Sequence, residues 1–225
     1  MSRLNGGRKF SWRYALGELL LITLGIYLAF AVNNWGETRK ERKLEQFYLS
    51  NLLADIDRCI QQIHWHRVLA ETHRNGAEGL DALLAQGQSV AKDSLILYLN
   101  SFNINPQFKI YNTSYQSILQ SGDYRIIKSD ELRKDLDRFF LELLPEVVSL
   151  EEYYQERLKE QFFPIKESVY MTRSQTLIEM ERLFDSVFRD NVFVLPAYID
   201  QEDRQLIQSL EAAQALKARI ESNID

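Results

Sequence analysis

The sequence predicts an all-α protein with one membrane-spanning helix near its N-terminus, and three observations carry that expectation. Residues 14–35, YALGELLLITLGIYLAFAVNNW, form an apolar run interrupted by one charge, Glu18. Beyond it, apolar residues recur at or near three- and four-residue steps, as in Leu44, Phe47, Leu52, Ile56, Ile60 and Ile63, which is the spacing of one helix face. The longest strand-like pattern is Val192-Phe193-Val194-Leu195, and there is no internal repeat.

Read as a helix at ~1.5 Å per residue, the apolar run is about 33 Å long and matches a hydrocarbon core of ~30 Å. Trp12 and Tyr14 on one flank and Trp35 on the other are the amphipathic aromatics that sit at headgroup level. Two other readings compete. A cleaved signal peptide would use Arg3, Arg8, Lys9 and Arg13 as its basic region and the small-x-small step Ala29-Phe30-Ala31 as its cleavage site. A buried core helix would need other helices apolar all round to enclose it, and the chain offers none. The expected organisation is therefore a basic cytoplasmic tail (1–13), a transmembrane helix (14–35) and an α-helical extracytoplasmic domain (36–225).

The chain has 27 basic and 32 acidic residues, of which the first 35 hold four and one. The remaining 190 residues thus have 23 basic against 31 acidic, a net charge of −8. Such an acidic domain lacks the Lys and Arg excess that phosphate contacts need, which argues against nucleic acid as a partner. Positive charges flank the span equally, Arg3, Arg8, Lys9 and Arg13 before it and Arg39, Lys40, Arg42 and Lys43 after it. The acid-free leading tail places the N-terminus in the cytoplasm, since long domains translocate largely regardless of charge. Cys59, the single cysteine, cannot close an intrachain disulfide and says nothing of redox compartment.

Beyond the span, residues 36–74 continue it as a juxtamembrane helix, with Gly36 as a bend. The pattern breaks at Gly76 and Gly79, and a short helix through Leu80, Leu83 and Leu84 ends by Gly87. Asp93 caps a helix through Leu95, Ile96, Leu99 and Phe102, stopped at Asn105-Pro106. Thr113 or Ser114 caps one through Tyr115, Ile118 and Leu119, closed by Gly122 as a left-handed cap. Ser129, with Asp130 and Glu131 behind it, starts a helix that kinks at Pro145 and ends at Pro164. Two more helices come after it, one from Leu177 to Val187 and one from about Asp200 to Ser222.

Two blocks of this chain carry a resemblance. Gly17-Glu18, Leu24-Gly25-Ile26 and Val32-Asn33-Asn34-Trp35, leading into Glu37, Arg39 and Lys40, form the first. Tyr115-Gln-Ser-Ile-Leu-Gln-Ser-Gly122, Ile126-Ile127 and Glu131-Leu132-Arg133 form the second. Both resemble, in order and spacing, segments of a family of bacterial single-pass membrane proteins of unknown function. The resemblance implies a retained anchor, inner-membrane location and a helical domain outside. It brings no activity with it. Phe30-Ala31-Val32 departs from the pattern, where a more polar approach to the asparagines is expected.

Chemistry is sparse. Cys59, His66 and His73 fall seven apart and share a helix face, but seven residues span ~10.5 Å, too far for one zinc ion bound from a single straight helix. The histidines read as helix-surface residues, and no metal or other cofactor is expected. Asp55 and Asp57, Asp135 and Asp137, and Glu151 and Glu152 are neighbours that point to different sides of a helix, so none reads as a catalytic pair. No phosphate loop or hydrolase motif occurs, and an enzyme is not expected. The aromatics of residues 98–163 read as core filling, with a pocket between helices as the sharper alternative.

Within the span, Gly25 and Ala29 lie about 20° to either side of the line of Glu18 at ~100° per residue. A small-xxx-small step beside an acidic residue is a packing face for another transmembrane helix. The favoured function is a membrane-anchored helical interaction or scaffold protein that self-associates through its span or binds a partner membrane protein. A ligand-sensing domain signalling through a partner, and a subunit of an oligomeric channel or transport complex, are the alternatives.

Overall fold

A computed structural model describes residues 12–224, with Arg13, Tyr14 and Ala15 described in backbone only. The expected basic tail of residues 1–11 and the Tyr14 ring lie outside the described residues. The chain forms two compact units, Met1–Phe47 and Tyr48–Asp225. Its first helix, α1 (Trp12–Ala85), contributes to both. The helices α2 (Lys92–Asn100), α3 (Thr113–Ser121), α4 (Asp130–Asp137), α5 (Leu144–Arg157), α6 (Phe163–Val169) and α7 (Ser186–Ile224) belong to the second. The all-α expectation holds, with a two-residue hairpin, Tyr170–Met171 against Thr176–Leu177, as the only strand pairing among the described residues.

Among the described residues, the apolar part of the first unit is an exposed helix. Leu19, Leu20, Leu21, Ile22, Phe30 and Val32 are all more than half exposed. Thr23, mid-stretch, donates its hydroxyl to the Leu19 carbonyl at 2.8 Å, so its polar atom is met within the helix itself.

The second unit is a bundle around three long helical stretches. Along α1 the buried positions Leu49, Leu52, Ile56, Cys59, Ile63, His66, Ala70, His73, Ala77, Leu80 and Leu84 alternate by three and four. On α7 the positions Phe188, Val192, Leu195, Ile199, Glu202, Leu206, Ser209, Ala213, Leu216 and Ile220 do the same. This is the seam of helices packed in coiled-coil fashion. The third stretch is α4, α5 and α6 in succession, joined through π-helical turns at Arg138–Leu143 and Leu158–Phe162. Two apolar clusters share the bundle. One joins α1 residues 49–63 to Leu132–Val147 and Leu206–Ile220, and the other joins α1 residues 70–84 to Tyr154–Tyr170 and Phe188–Ile199. Hence α1 and the α4–α6 stretch run parallel while α7 returns antiparallel, and residues 86–129 are the crossover that a parallel pair requires.

Several sequence expectations are corrected here. Gly76 and Gly79 do not break α1, which runs through them; it also continues through Gly36, as expected. A Cβ on Gly76 would lie 1.8 Å from Ser101 Oγ, and one on Gly79 2.3 Å from the Tyr98 ring. Their role is close approach: α2 and the turn Ser101–Asn103 lie against bare backbone, which buries Leu95, Leu99 and Phe102. Asp93 stands in the first turn of α2 rather than at its cap, which is Ala91. Thr113 is likewise inside α3, whose start is held by Asp55 of α1, accepting from the Ser114 N–H at 2.7 Å. Ser129 caps α4 through the Leu132 N–H, and Gly122 closes α3 at φ +79°.

Pro164 does not end the third stretch, whereas past Pro145 the stretch continues, as expected. Just before each proline the ladder slips by one residue, the Leu144 N–H donating to the Phe139 carbonyl and the Phe163 N–H to the Leu158 carbonyl. The wide turn relieves the clash that a proline ring makes with the carbonyl one turn earlier in a regular α-helix. Residues 177–187 are not helical throughout: Met180–Phe184 form a short 3-10 turn. Asp185 Oδ1 then accepts from the Val187 and Phe188 N–H groups at 2.9 and 3.3 Å, so α7 starts near 186 and not near 200. Val192–Leu195 are in it, and Pro196 is accommodated inside it.

Candidate functional site

The first candidate is the exposed face of the first unit. Glu18, Gly25 and Ala29 are all exposed on α1, and a Cβ on Gly25 would meet nothing within 4 Å. Helical geometry puts the three on one stripe, as their spacing requires. Trp12 and Trp35 are 70 % and 66 % exposed, with the Arg39 guanidinium 5.7 Å over the Trp35 ring. The stretch from Leu16 is long and apolar enough to cross a membrane, and none of its apolar window is buried.

The second candidate lies inside the second unit, where the two apolar clusters meet. On α1 the seam passes from Ile63 through His66 to Ala70, on α5 from Val147 through Glu151 to Tyr154, and on α7 from Ile199 through Glu202 to Leu206. Each long stretch places one polar side chain at this level, and each is buried. His66 and His73 are thus core residues and not helix-surface ones, as is Cys59. Their seven-residue spacing is the seam's own period, and His64, off that period, is exposed.

Satisfaction within this layer is incomplete. Glu151 Oε2 accepts from the Phe108 N–H at 2.7 Å, whereas Oε1 has no hydrogen-bond partner and stands 3.9 Å from His66 Nδ1. His66 Nε2 is also unpartnered. Two turns on, His73 is fully engaged. Its Nε2 meets the Ile104 carbonyl at 3.0 Å and must donate there, leaving Nδ1 to accept from the Tyr154 hydroxyl at 3.2 Å. A cavity of about 10 Å³ opens among these groups, lined by His66, His73, Glu151, Tyr154 and Glu202. That is room for one water-sized occupant.

Burial sets the protonation of the layer. It pushes His66 down to about 4 and lowers His73 as well, so both rings are neutral at pH 7. Burial raises Glu151, opposed by the Phe108 N–H. Glu202 is raised to about 8 by burial first and then by the negative charge of Glu151 and Asp203. The two buried carboxyls therefore share a site that a single cation would complement.

Asn105, Glu151 and Gln155 line the cavity and also a larger surface groove of about 900 Å³. Asn105 and Gln155 exchange amide hydrogen bonds in both directions. Glu152, Glu156 and Glu160 line the groove at successive turns, beside Tyr153, Phe163 and Lys159. Among the described residues, no group of three or more His, Cys, Asp or Glu side chains is placed to hold a metal ion.

Sequence reasoning passes over Glu202 and dismisses Glu151, because it seeks carboxylate pairs along one helix. The pair here is between helices. The available signal is a carboxylate in a core position of an otherwise apolar seam, as in Ile199-x-x-Glu202-x-x-x-Leu206.

No curated protein and no solved structure matches the chain. A family model does match, over residues 18–192, more than three quarters of the sequence and including nearly all of both resembling blocks. The chain therefore belongs to DUF6090, a family of unknown function.

Proposed function

We propose that this protein is a non-enzymatic, membrane-anchored interaction subunit of the bacterial inner membrane, assembled through the Glu18, Gly25 and Ala29 face of its span. In this reading the N-terminal tail is cytoplasmic and the bundle is extracytoplasmic. The observation that carries it is the contrast within α1: an apolar stretch left exposed among the described residues precedes a stretch whose apolar stripe is buried in the bundle. Lipid covers most of the former. The small residues let a second helix approach, and a partner helix shields Glu18.

Crosslinking in native membranes, followed by mass spectrometry, tests the assembly. Gly25→Leu and Ala29→Leu weaken the crosslinked species while Leu20→Ala leaves it unchanged; equal effects from all three remove the packing face from the proposal. Orientation is read from Ala218→Cys on a Cys59→Ala background, which reacts with an impermeant maleimide in spheroplasts. Reaction only after lysis reverses the topology.

A second reading, a ligand-sensing domain that signals through a partner chain, is favoured by the cavity with unmet hydrogen-bonding capacity inside the bundle.

A further inference from the structure

We infer that the cavity in the polar layer is a binding site for a primary ammonium group, the head of a linear amine whose remaining length lies in the adjoining acidic groove. The inference deepens the ligand-sensing reading, but the site itself stands on geometry of its own.

The occupant is fixed by size and charge. At about 10 Å³ the cavity takes one group the size of water, which admits –NH₃⁺ and excludes a guanidinium or a quaternary ammonium. Its unmet atoms are acceptors: Glu151 Oε1, buried and without a hydrogen bond, and His66 Nε2, an acceptor when the neutral ring carries its proton on Nδ1. Glu202, 6 % exposed, adds a second carboxyl. An ammonium has three donors and no acceptor, matching this set. Burying it is tolerable only where its charge is both paired and hydrogen-bonded, and two carboxyls with a neutral imidazole supply that. An anion would be repelled by the Glu151 carboxylate and could be met by Glu202 only while that group keeps its proton.

The groove accounts for the rest of the ligand. It shares Asn105, Glu151 and Gln155 with the cavity, so a chain that parts the Asn105–Gln155 amide pair would reach the inner carboxyls from outside. Glu152, Glu156 and Glu160 recur along it every four residues, about 6 Å apart on a helix. Like charges at that step destabilise the free helix, and amines three or four methylenes apart would neutralise them in turn. A linear di- or triamine fits this pattern of two inner acids at one site and several outer ones.

Binding has a proton signature. At pH 7 Glu202 enters as the acid form. Seating the ammonium between the carboxyls ionises it and expels its proton to solvent, while the amine keeps its own.

The test is calorimetry on the full chain in lipid nanodiscs, titrated at pH 7 with putrescine, spermidine, ammonium chloride, tetramethylammonium and magnesium chloride in two buffers of different ionisation enthalpy. Putrescine and spermidine are expected to bind one per chain with release of about one proton. Glu202→Gln abolishes the release and weakens both by at least about tenfold, or 1.4 kcal/mol. Glu151→Gln, which keeps an acceptor for the Phe108 N–H, weakens them equally and carries the test if E202Q fails to fold. Glu156→Gln weakens spermidine by about two- to fivefold, as expected for an exposed charge pair. The site is refuted if no amine binds at about 10 mM, if binding survives E202Q and E151Q without proton release, or if tetramethylammonium or magnesium binds as well as putrescine. Binding with the proton signature, but with no change in crosslinked species, leaves the site and removes the sensing reading alone.

Discussion

The two ends of α1 are made from the same kind of residue and do opposite things. Between Leu16 and Trp35 the large apolar side chains point all round the helix and each is at least 44 % exposed; between Leu49 and Leu84 most of them keep to one stripe, and that stripe is buried. The difference lies in arrangement more than in hydrophobicity. A helix apolar on every side cannot bury itself against two neighbours, whereas one with a narrow stripe can. Among the described residues, the first end leaves its apolar side chains exposed, and the second packs its stripe within its own unit.

Mutation makes the contrast measurable. Ile56→Ala empties a fully buried position and should lower the stability of the second unit by about 2–5 kcal/mol, the range for large-to-small core changes. Ile22→Ala, 56 % exposed before the change, should leave that unfolding transition where it was. Denaturant melts followed by far-ultraviolet circular dichroism compare the two, and a similar loss from both would mean that the ends are not independent.

A smaller effect has opposite signs at two glycines of the same helix. Gly79→Ala drives a Cβ into the Tyr98 ring and should cost about 1–3 kcal/mol through overpacking. Gly36→Ala meets open space and should be neutral or stabilise the local helix by up to about 1 kcal/mol. Smaller still, Asp55→Ala removes the acceptor at the start of α3 and should cost about 1 kcal/mol, the usual worth of a helix cap. Hydrogen exchange at Ser114 and Tyr115 should rise in that variant before any global unfolding is seen.

The polar layer sharpens the comparison by giving the second unit a response to pH. Glu202 is raised in the fold from an ordinary 4.5 to about 8. The folded chain therefore holds a proton that the unfolded chain has lost, and this contribution to stability falls as pH rises from about 4.5 to about 8. His66 is lowered from 6.5 to about 4, so the unfolded chain gains a proton that the fold refuses, and stability falls as pH drops from about 6.5 to about 4. Between about 4.5 and 6.5 the two slopes oppose each other. Glu202→Gln should flatten the decline between pH 6.5 and 8, and an unchanged profile would show that Glu202 does not titrate in that window.

How far the sequence can be read depends on whether a signal is local. The apolar run, the helical period, the Ser129 cap and the Gly122 cap involve residues within a few positions of each other, and each is legible. The glycines at 76 and 79 mislead because their reason lies in Ser101 and Tyr98, some twenty residues away, and a glycine that admits a neighbour looks the same in sequence as one that ends a helix. The prolines mislead in a related way. Buried positions step by four from Leu132 to Leu136, Phe140 and Leu144, and again from Tyr154 to Leu158, Phe162 and Lys166. That extra residue is the trace of each wide turn, visible only once the seam is known.

By itself, then, the sequence determined whatever periodicity and composition can express: an all-α chain, an apolar stretch of membrane-crossing length, an amphipathic continuation, and membership of a family recognised from two short blocks. Tertiary structure alone decided which polar residues meet. His66, Glu151 and Glu202 are separated by 85 and 51 positions, and they share one layer because three independent seams, two parallel and one antiparallel, reach the same height in the bundle. Register between helices is a property of packing, fixed by side chains interlocking across a seam, and no stretch of sequence read alone contains it.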